Sequence, residues 1–248
     1  MKDSILVFVH IPKTGGVSLF TYLSSHFKKE EIAVFTPIVP KHDILDIVHM
    51  CNAPDSNIRF IEGHLPYGIH QHLNRPCEYI TFVRDPIEQL LSMYFFIRRN
   101  EEMPLHDEVN QITFQQFLMH PDWKELNNNP QCRYLGLTQT FGESISDPSN
   151  WWSPGSTFRN TYLVKQFLRE QYRFIGITEY MDVSIKELAR MFKWAAPADI
   201  PHENRAHKRY SRSQLSPETH SLIRERCSLD LKLYEYALQL FYERYHVR

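Results

Sequence analysis

Ile5-Leu-Val-Phe-Val-His-Ile-Pro-Lys-Thr-Gly-Gly-Val-Ser-Leu-Phe20 decides the fold. Ile5 to Val9 is a continuous apolar, β-branched-rich run, the pattern of a strand buried on both faces of a parallel sheet. His10 to Gly16 is a loop punctuated by Pro12 and two glycines. From Val17 to Phe27 the apolar residues at 19, 20, 23 and 27 keep helical spacing. Strand, glycine loop and helix in that order make a phosphate cradle. The helix start offers unpaired N–H groups and partial positive charge, and glycine lets the backbone approach an anion. Lys13 adds a point charge, and Thr14 and Ser18 add hydroxyls. The ATPase form of this loop, GxxxxGK[ST], places its lysine after the glycines. Here Lys13 precedes Gly15 and Gly16, so that motif is absent.

Working outward, further strands are expected near Ile58–Ile61, at Tyr79–Val83 and at Tyr172–Ile177. Helices are expected from Pro86 to about Arg99, from Thr157 to Glu170, from Asp182 to Trp194, and after Ser216. Asp85 and Pro86 suit an N-cap and a first helical position, and Ser216 and Pro217 repeat the pattern. Residues 101–160 read as irregular. Strands alternating with helices predict an α/β fold, a parallel sheet flanked by helices on both faces, in a single domain over residues 1–248. The 248 residues carry 28 Lys and Arg against 29 Asp and Glu, which argues against nucleic acid as a partner. No apolar run approaches the ~20 residues of a membrane span, and Ile5–Val9 is too short for a signal peptide. A cytoplasmic location with Cys51, Cys77, Cys132 and Cys227 reduced is the expectation.

The loop His10-Ile-Pro-Lys-Thr-Gly-Gly16 resembles the 5′-phosphosulfate loop of sulfotransferases that use 3′-phosphoadenosine 5′-phosphosulfate. It is closest to the glycan branch that includes heparan sulfate 2-O-sulfotransferase and its bacterial relatives. Phe82-Val-Arg-Asp-Pro-Ile-Glu-Gln-Leu-Leu-Ser-Met-Tyr94 resembles that family's 3′-phosphate segment, with Arg84 and Ser92 at the contacting positions. Phe60-Ile-Glu-Gly-His-Leu-Pro-Tyr67, Asn129-Pro-Gln-Cys-Arg-Tyr-Leu135, Phe174-Ile-Gly-Ile-Thr-Glu-Tyr180 and Leu229–Ala237 resemble further family segments. Val17 departs from the family's usual Thr or Ser, and Cys132 from its usual Thr. The implied fold is the P-loop-like sulfotransferase fold. The implied cofactor is 3′-phosphoadenosine 5′-phosphosulfate, released as 3′,5′-ADP, with no metal. Its implied holders are Pro12, Lys13, Thr14, Gly15, Gly16, Val17, Ser18, Arg84 and Ser92, together with Arg205, Lys208 and Arg209 of a basic loop.

Sulfuryl transfer, like phosphoryl transfer, asks for positioning, charge stabilisation and one proton removal. Lys13 is expected to stabilise the leaving oxygen. His64, at a strand end and at the family's "GH" position, is expected to be the base. His10, Tyr67 and Arg133 are candidates on the acceptor side, and Trp151 and Trp152 could stack on a sugar or anchor their loop. His70 and His72 lack a zinc spacing. The balanced charge does not suit a polyanionic acceptor. A hydroxyl, or an N–H, of a small metabolite, glycolipid or short glycan is expected. A P-loop-type kinase and a non-catalytic nucleotide-binding module are the alternatives. Sequence leaves the oligomeric state open.

Overall fold

In the computed structural model, which describes residues 4–35, 44–137, 139–141, 152–154, 161–197 and 212–245, β1 (Ile5–Val9) is buried along its whole length. Its residues divide between two cores. Ile5, Val7 and Val9 join one apolar cluster, and Leu6 and Phe8 join the other. That alternation is the two-residue period of a strand with both faces covered.

Five strands form an all-parallel sheet: β2 (Ile32–Phe35), β3 (Phe60–Gly63), β1, β4 (Cys77–Val83) and β7 (Tyr172–Ile177), in that spatial order. A separate antiparallel pair joins β5 (Gln139–Phe141) to β6 (Trp152–Pro154). On the Leu6/Phe8 face pack α1 (Gly16–Ser24) through Leu19 and Leu23, and a later helix, Met181–Phe192, through Ile185 and Leu188. On the other face pack α2 (Ile44–Asn52) and the closing helix Ser228–Tyr245. The α/β architecture expected from sequence is the one observed.

The sequence reading did not anticipate α2 or the β5–β6 pair, and two further regions differ from it. β2 was not anticipated, because it is a four-residue edge strand with alternate residues only half-buried, too short to show a period. Residues 101–137 hold short helices joined by turns rather than being irregular throughout. After α3 (Pro86–Arg99) come four short helices, α4 (His106–Asn110), α5 (Phe114–Met119), α6 (Lys124–Asn127) and α7 (Pro130–Tyr134). With α3 and the helix Pro217–Arg226, α4, α5 and α6 form a third core, through Ile97, Val109, Phe117 and Ile223 among others, whereas α7 packs through Cys132 into the cluster of Ile5, Val7 and Val9. Helices of four to six residues are too short for an apolar stripe to repeat. The remaining helices are α8 (Thr161–Gln171), α9 (Met181–Phe192), α10 (Pro217–Arg226) and α11 (Ser228–Tyr245). No helix among the described residues is long and apolar enough to cross a membrane.

One long-range device ties α7 to α11. Asp230 is fully buried, and its carboxylate accepts from the α7 amides of Gln131 (3.0 Å) and Cys132 (2.8 Å). In return, Asn129 Oδ1 accepts from the α11 amides of Leu229 (2.8 Å) and Asp230 (3.1 Å). Each helix start is thus capped by a side chain from the other. Burial raises the Asp230 carboxyl to about 6 against the pull of these donors.

Candidate active site

The site lies where the order of strands reverses. After β1 the chain runs to β2 and β3 on one side; β4 and β7 lie on the other. A crevice outside the carboxyl ends of β1 and β4 follows from that switch. The parallel register pairs Val9 with both Gly63 and Thr81. The next residues along β1 and β3, His10 and His64, therefore come side by side, with ring centroids 4.4 Å apart.

The loop from Ile11 to Gly16 is held at every turn. Thr14 is buried and its hydroxyl donates to Ile11 O (2.8 Å). Pro12 O accepts from Gln89 Nε2 (3.0 Å), Lys13 O from Arg84 Nη1 (2.9 Å), and Thr14 O from the Thr178 hydroxyl (2.9 Å). Lys13 adopts φ 69° and Gly15 φ 85°, the left-handed conformation that turns the strand into the helix. Gly15 takes it without cost; Lys13 bears roughly 1–2 kcal/mol of strain, offset by the bonds just named. Gly16 is needed for space. A Cβ there would lie 1.6 Å from His10 Nε2. Gly16→Ala is expected to destabilise the protein by about 1–3 kcal/mol, the usual cost of overpacking, read as a lowered denaturation midpoint. An unchanged midpoint would mean that His10 is not fixed where the structure puts it.

α1 begins without a side-chain cap and has no acid in its first turn. α3, by contrast, is capped by Asp85, which accepts from Ile87 N (2.9 Å) and Glu88 N (3.2 Å). The uncapped amides of α1, with Lys13 just before them and Ser18 buried within the first turn, are suited to an anion. The Lys13 ammonium rests 3.8 Å from the Phe96 ring centroid. Gln89, Ser92 and Phe96 follow at helical spacing along α3 and share one stripe. Gln89 and Phe96 both touch the loop, which sets the half-buried Ser92 on the same face. Arg84 is nearly buried. Besides Lys13 O, its guanidinium has Glu179 (3.8 Å) and Glu88 (3.9 Å) nearby.

His64 Nδ1 lies 2.7 Å from His10 O. A carbonyl only accepts, so Nδ1 carries the hydrogen and Nε2 keeps a lone pair, the form a general base requires. His10 Nδ1 meets Glu62 Oε1 at 2.8 Å. Burial pushes Glu62 up to about 7 and His10 down to about 4, so burial disfavours charge on both partners. His64 is lowered to about 4, first by burial and then by the adjacent His10. Both imidazoles are therefore neutral well below the ordinary histidine range. In the ligand-free protein, NMR titration should place both midpoints near 4. The unfolded chain takes up the histidine protons first, so these two groups make stability fall as pH drops from about 6.5 towards 4, while the raised carboxyls of Glu62 and Asp230 act in the opposite sense over an overlapping range. Midpoints near 6.5 would contradict the burial.

The structure thus brings together His10, Pro12, Lys13, Thr14, Gly15, Gly16, Ser18, His64, Arg84 and Ser92. Arg133 lines a cleft beside Pro12 with Met93, Glu125 and Tyr134. Tyr67 is not brought to the loop. Its ring is buried among Tyr79, Phe167 and Tyr172, and its hydroxyl donates to Gln171 Oε1 (2.7 Å). That is a packing position, fixed by the apolar surroundings of the ring. Trp151, Arg205, Lys208 and Arg209, and the side chains of Val17 and Trp152, lie outside the described residues. His70 Nδ1 pairs with the Tyr79 hydroxyl (2.8 Å). Sequence reasoning missed Glu62, Gln89, Gln131 and Glu179. All four fall in segments quoted for the resemblance, and Glu62 carried a further signal as an acid inside an otherwise apolar strand.

The model of the Sulfotransferase family matches residues 2–237. Heparin sulfate O-sulfotransferase of Drosophila melanogaster is 23% identical, covering 96% of this chain and 72% of its own length. Human galactose-3-O-sulfotransferase 2 is 24% identical over 72% of this chain, and heparan-sulfate 6-O-sulfotransferase 2 of Danio rerio 23% over 98%. The chain spans 46% and 59% of the lengths of these last two. Among solved structures, mouse sulfotransferase SULT7A1 complexed with PAP superposes with a TM-score of 0.51 at 15% identity, covering 98% of this chain and 90% of the mouse protein. That likeness concerns the fold.

Proposed function

The chain belongs to the sulfotransferase family, and we propose that it sulfates a hydroxyl of a short glycan or glycolipid, with 3′-phosphoadenosine 5′-phosphosulfate as donor and His64 as base. The observation that carries this reading is the meeting, at the sheet's switch point, of an uncapped helix start with a neutral histidine. The α1 amides are uncapped, and His64, its Nδ1 tied to His10 O, stands beside the loop.

The residues fit the donor. The α1 amides, Lys13, Thr14, Gly15, Gly16 and Ser18 would hold its 5′ end, and Arg84 and Ser92 its 3′-phosphate. When bound, the donor supplies the sulfuryl group. His64 Nε2 accepts the proton of the acceptor hydroxyl while its Nδ1–H stays on His10 O. Lys13 contributes positive charge beside the loop, where negative charge grows during transfer. The acceptor cleft is backed by Pro12, Met93 and Tyr134, with Glu125 and Arg133 as opposed charges. An uncharged sugar suits that lining better than a polyanion, and the relatives named for heparan sulfate and galactose support a glycan-type acceptor.

The test is calorimetric titration with 3′,5′-ADP, with 5′-AMP and ATP·Mg as controls. Preferential binding of 3′,5′-ADP is expected. Preference for ATP·Mg would replace this reading by a kinase.

A further inference from the structure

Arg84 stands at a junction where regular hydrogen bonding runs out. The ladder between β4 and β7 ends at the Val83–Ile177 pair, and α3 begins only after its cap, Asp85. The backbone of Arg84 is served by a side chain instead. Arg84 N donates to Gln131 Oε1 (3.0 Å), and Gln131 Nε2 donates to Arg84 O (2.8 Å). One amide thus closes both backbone groups, as an added rung of sheet would. Gln131 is itself fully buried and fixed at its backbone, because its N–H is one of the two that Asp230 caps.

We propose that Gln131 is a positioning residue for nucleotide recognition: its side-chain amide sets the backbone of Arg84 so that the guanidinium meets the 3′-phosphate, and Asp230 holds Gln131 in place. This rests on the reading of Arg84 as a 3′-phosphate contact. The backbone on either side is already fixed, since Val83 closes the β4–β7 ladder and Asp85 N donates to Glu179 Oε1 (3.1 Å). Gln131 fixes the one residue between them. A side chain that merely filled space there would leave two buried backbone groups unmet. A rotation of the Arg84 backbone would relieve that and carry the guanidinium away.

The experiment compares affinities of 3′,5′-ADP and 5′-AMP, which differ only in the 3′-phosphate. It uses the wild-type protein, Gln131→Leu and Gln131→Glu, with thermal midpoints measured alongside. Gln131→Glu retains the acceptor and the shape, and gives the reading if Gln131→Leu does not fold. The expected result is a loss of about tenfold or more in preference for 3′,5′-ADP, as for a misplaced charge-assisted contact, with 5′-AMP affinity little changed. Equal weakening of both ligands, or an unchanged preference, would overturn the positioning role and leave Gln131 as structural only. A wild-type protein that does not prefer 3′,5′-ADP would instead remove the underlying reading of Arg84.

Discussion

His64→Ala should lower turnover by about 10²–10⁴-fold, the contribution of a positioned general base, while affinity for 3′,5′-ADP stays close to wild type. The separation follows from the geometry. Among the described residues, the hydrogen bond that the substitution removes is the Nδ1 bond to His10 O, a partly buried bond of about 0.5–1.5 kcal/mol. The loop does not depend on it. Its turns are held by Thr14, Gln89, Arg84 and Thr178. Binding and turnover should therefore respond to different residues, with Arg84→Ala weakening 3′,5′-ADP binding instead. Single-turnover rates at saturating acceptor make the comparison. Near-normal turnover in His64→Ala would show that the proton leaves by another route.

Lys13 should be the second residue of large effect, and the choice of replacement matters. Its backbone is at φ 69°, where alanine is strained and asparagine is tolerated. Lys13→Asn keeps the turn and removes the charge. Turnover should fall by about 10²–10³-fold, as when a preorganised group that meets developing charge is removed. The stability cost should be small, since the ammonium–Phe96 contact is worth about 0.5–1 kcal/mol at a site of this exposure. Denaturation and steady-state kinetics on the same preparation separate the two. A variant that turns over normally would remove Lys13 from the chemistry.

Much of this site was legible because its parts are local. β1, the loop and α1 occupy one stretch of about twenty residues, and each announces itself by composition: an apolar run, then proline and glycines, then helical spacing. β4 and α3 announce themselves in the same way through Asp85 and Pro86. What was not legible is what the fold brings from a distance. Gln131 meets Arg84 across 47 residues, and Asp230 meets Gln131 across 99. A polar residue in a short helix looks the same whether it faces water or clamps a strand end. Glu62 was half-visible. An acid in a buried strand implies a partner, but the sequence does not say that the partner is His10, whose neighbour along the register is His64. β2 escaped because four residues at a sheet edge, only two of them buried, carry too little pattern to separate them from a loop.

The reciprocal caps of Asn129 and Asp230 also set an order of events during synthesis. β1, the loop and β4 leave the ribosome early and hold most of the residues that would bind the donor. The α7 start does not obtain its caps until Asp230 has emerged, 99 residues after Gln131, an interval of about 5–20 s at ordinary elongation rates. Until then the Arg84 backbone leans on an unanchored side chain. The nascent chain thus carries its sheet well before it carries a finished pocket, and completion of the pocket coincides with the docking of the last helix.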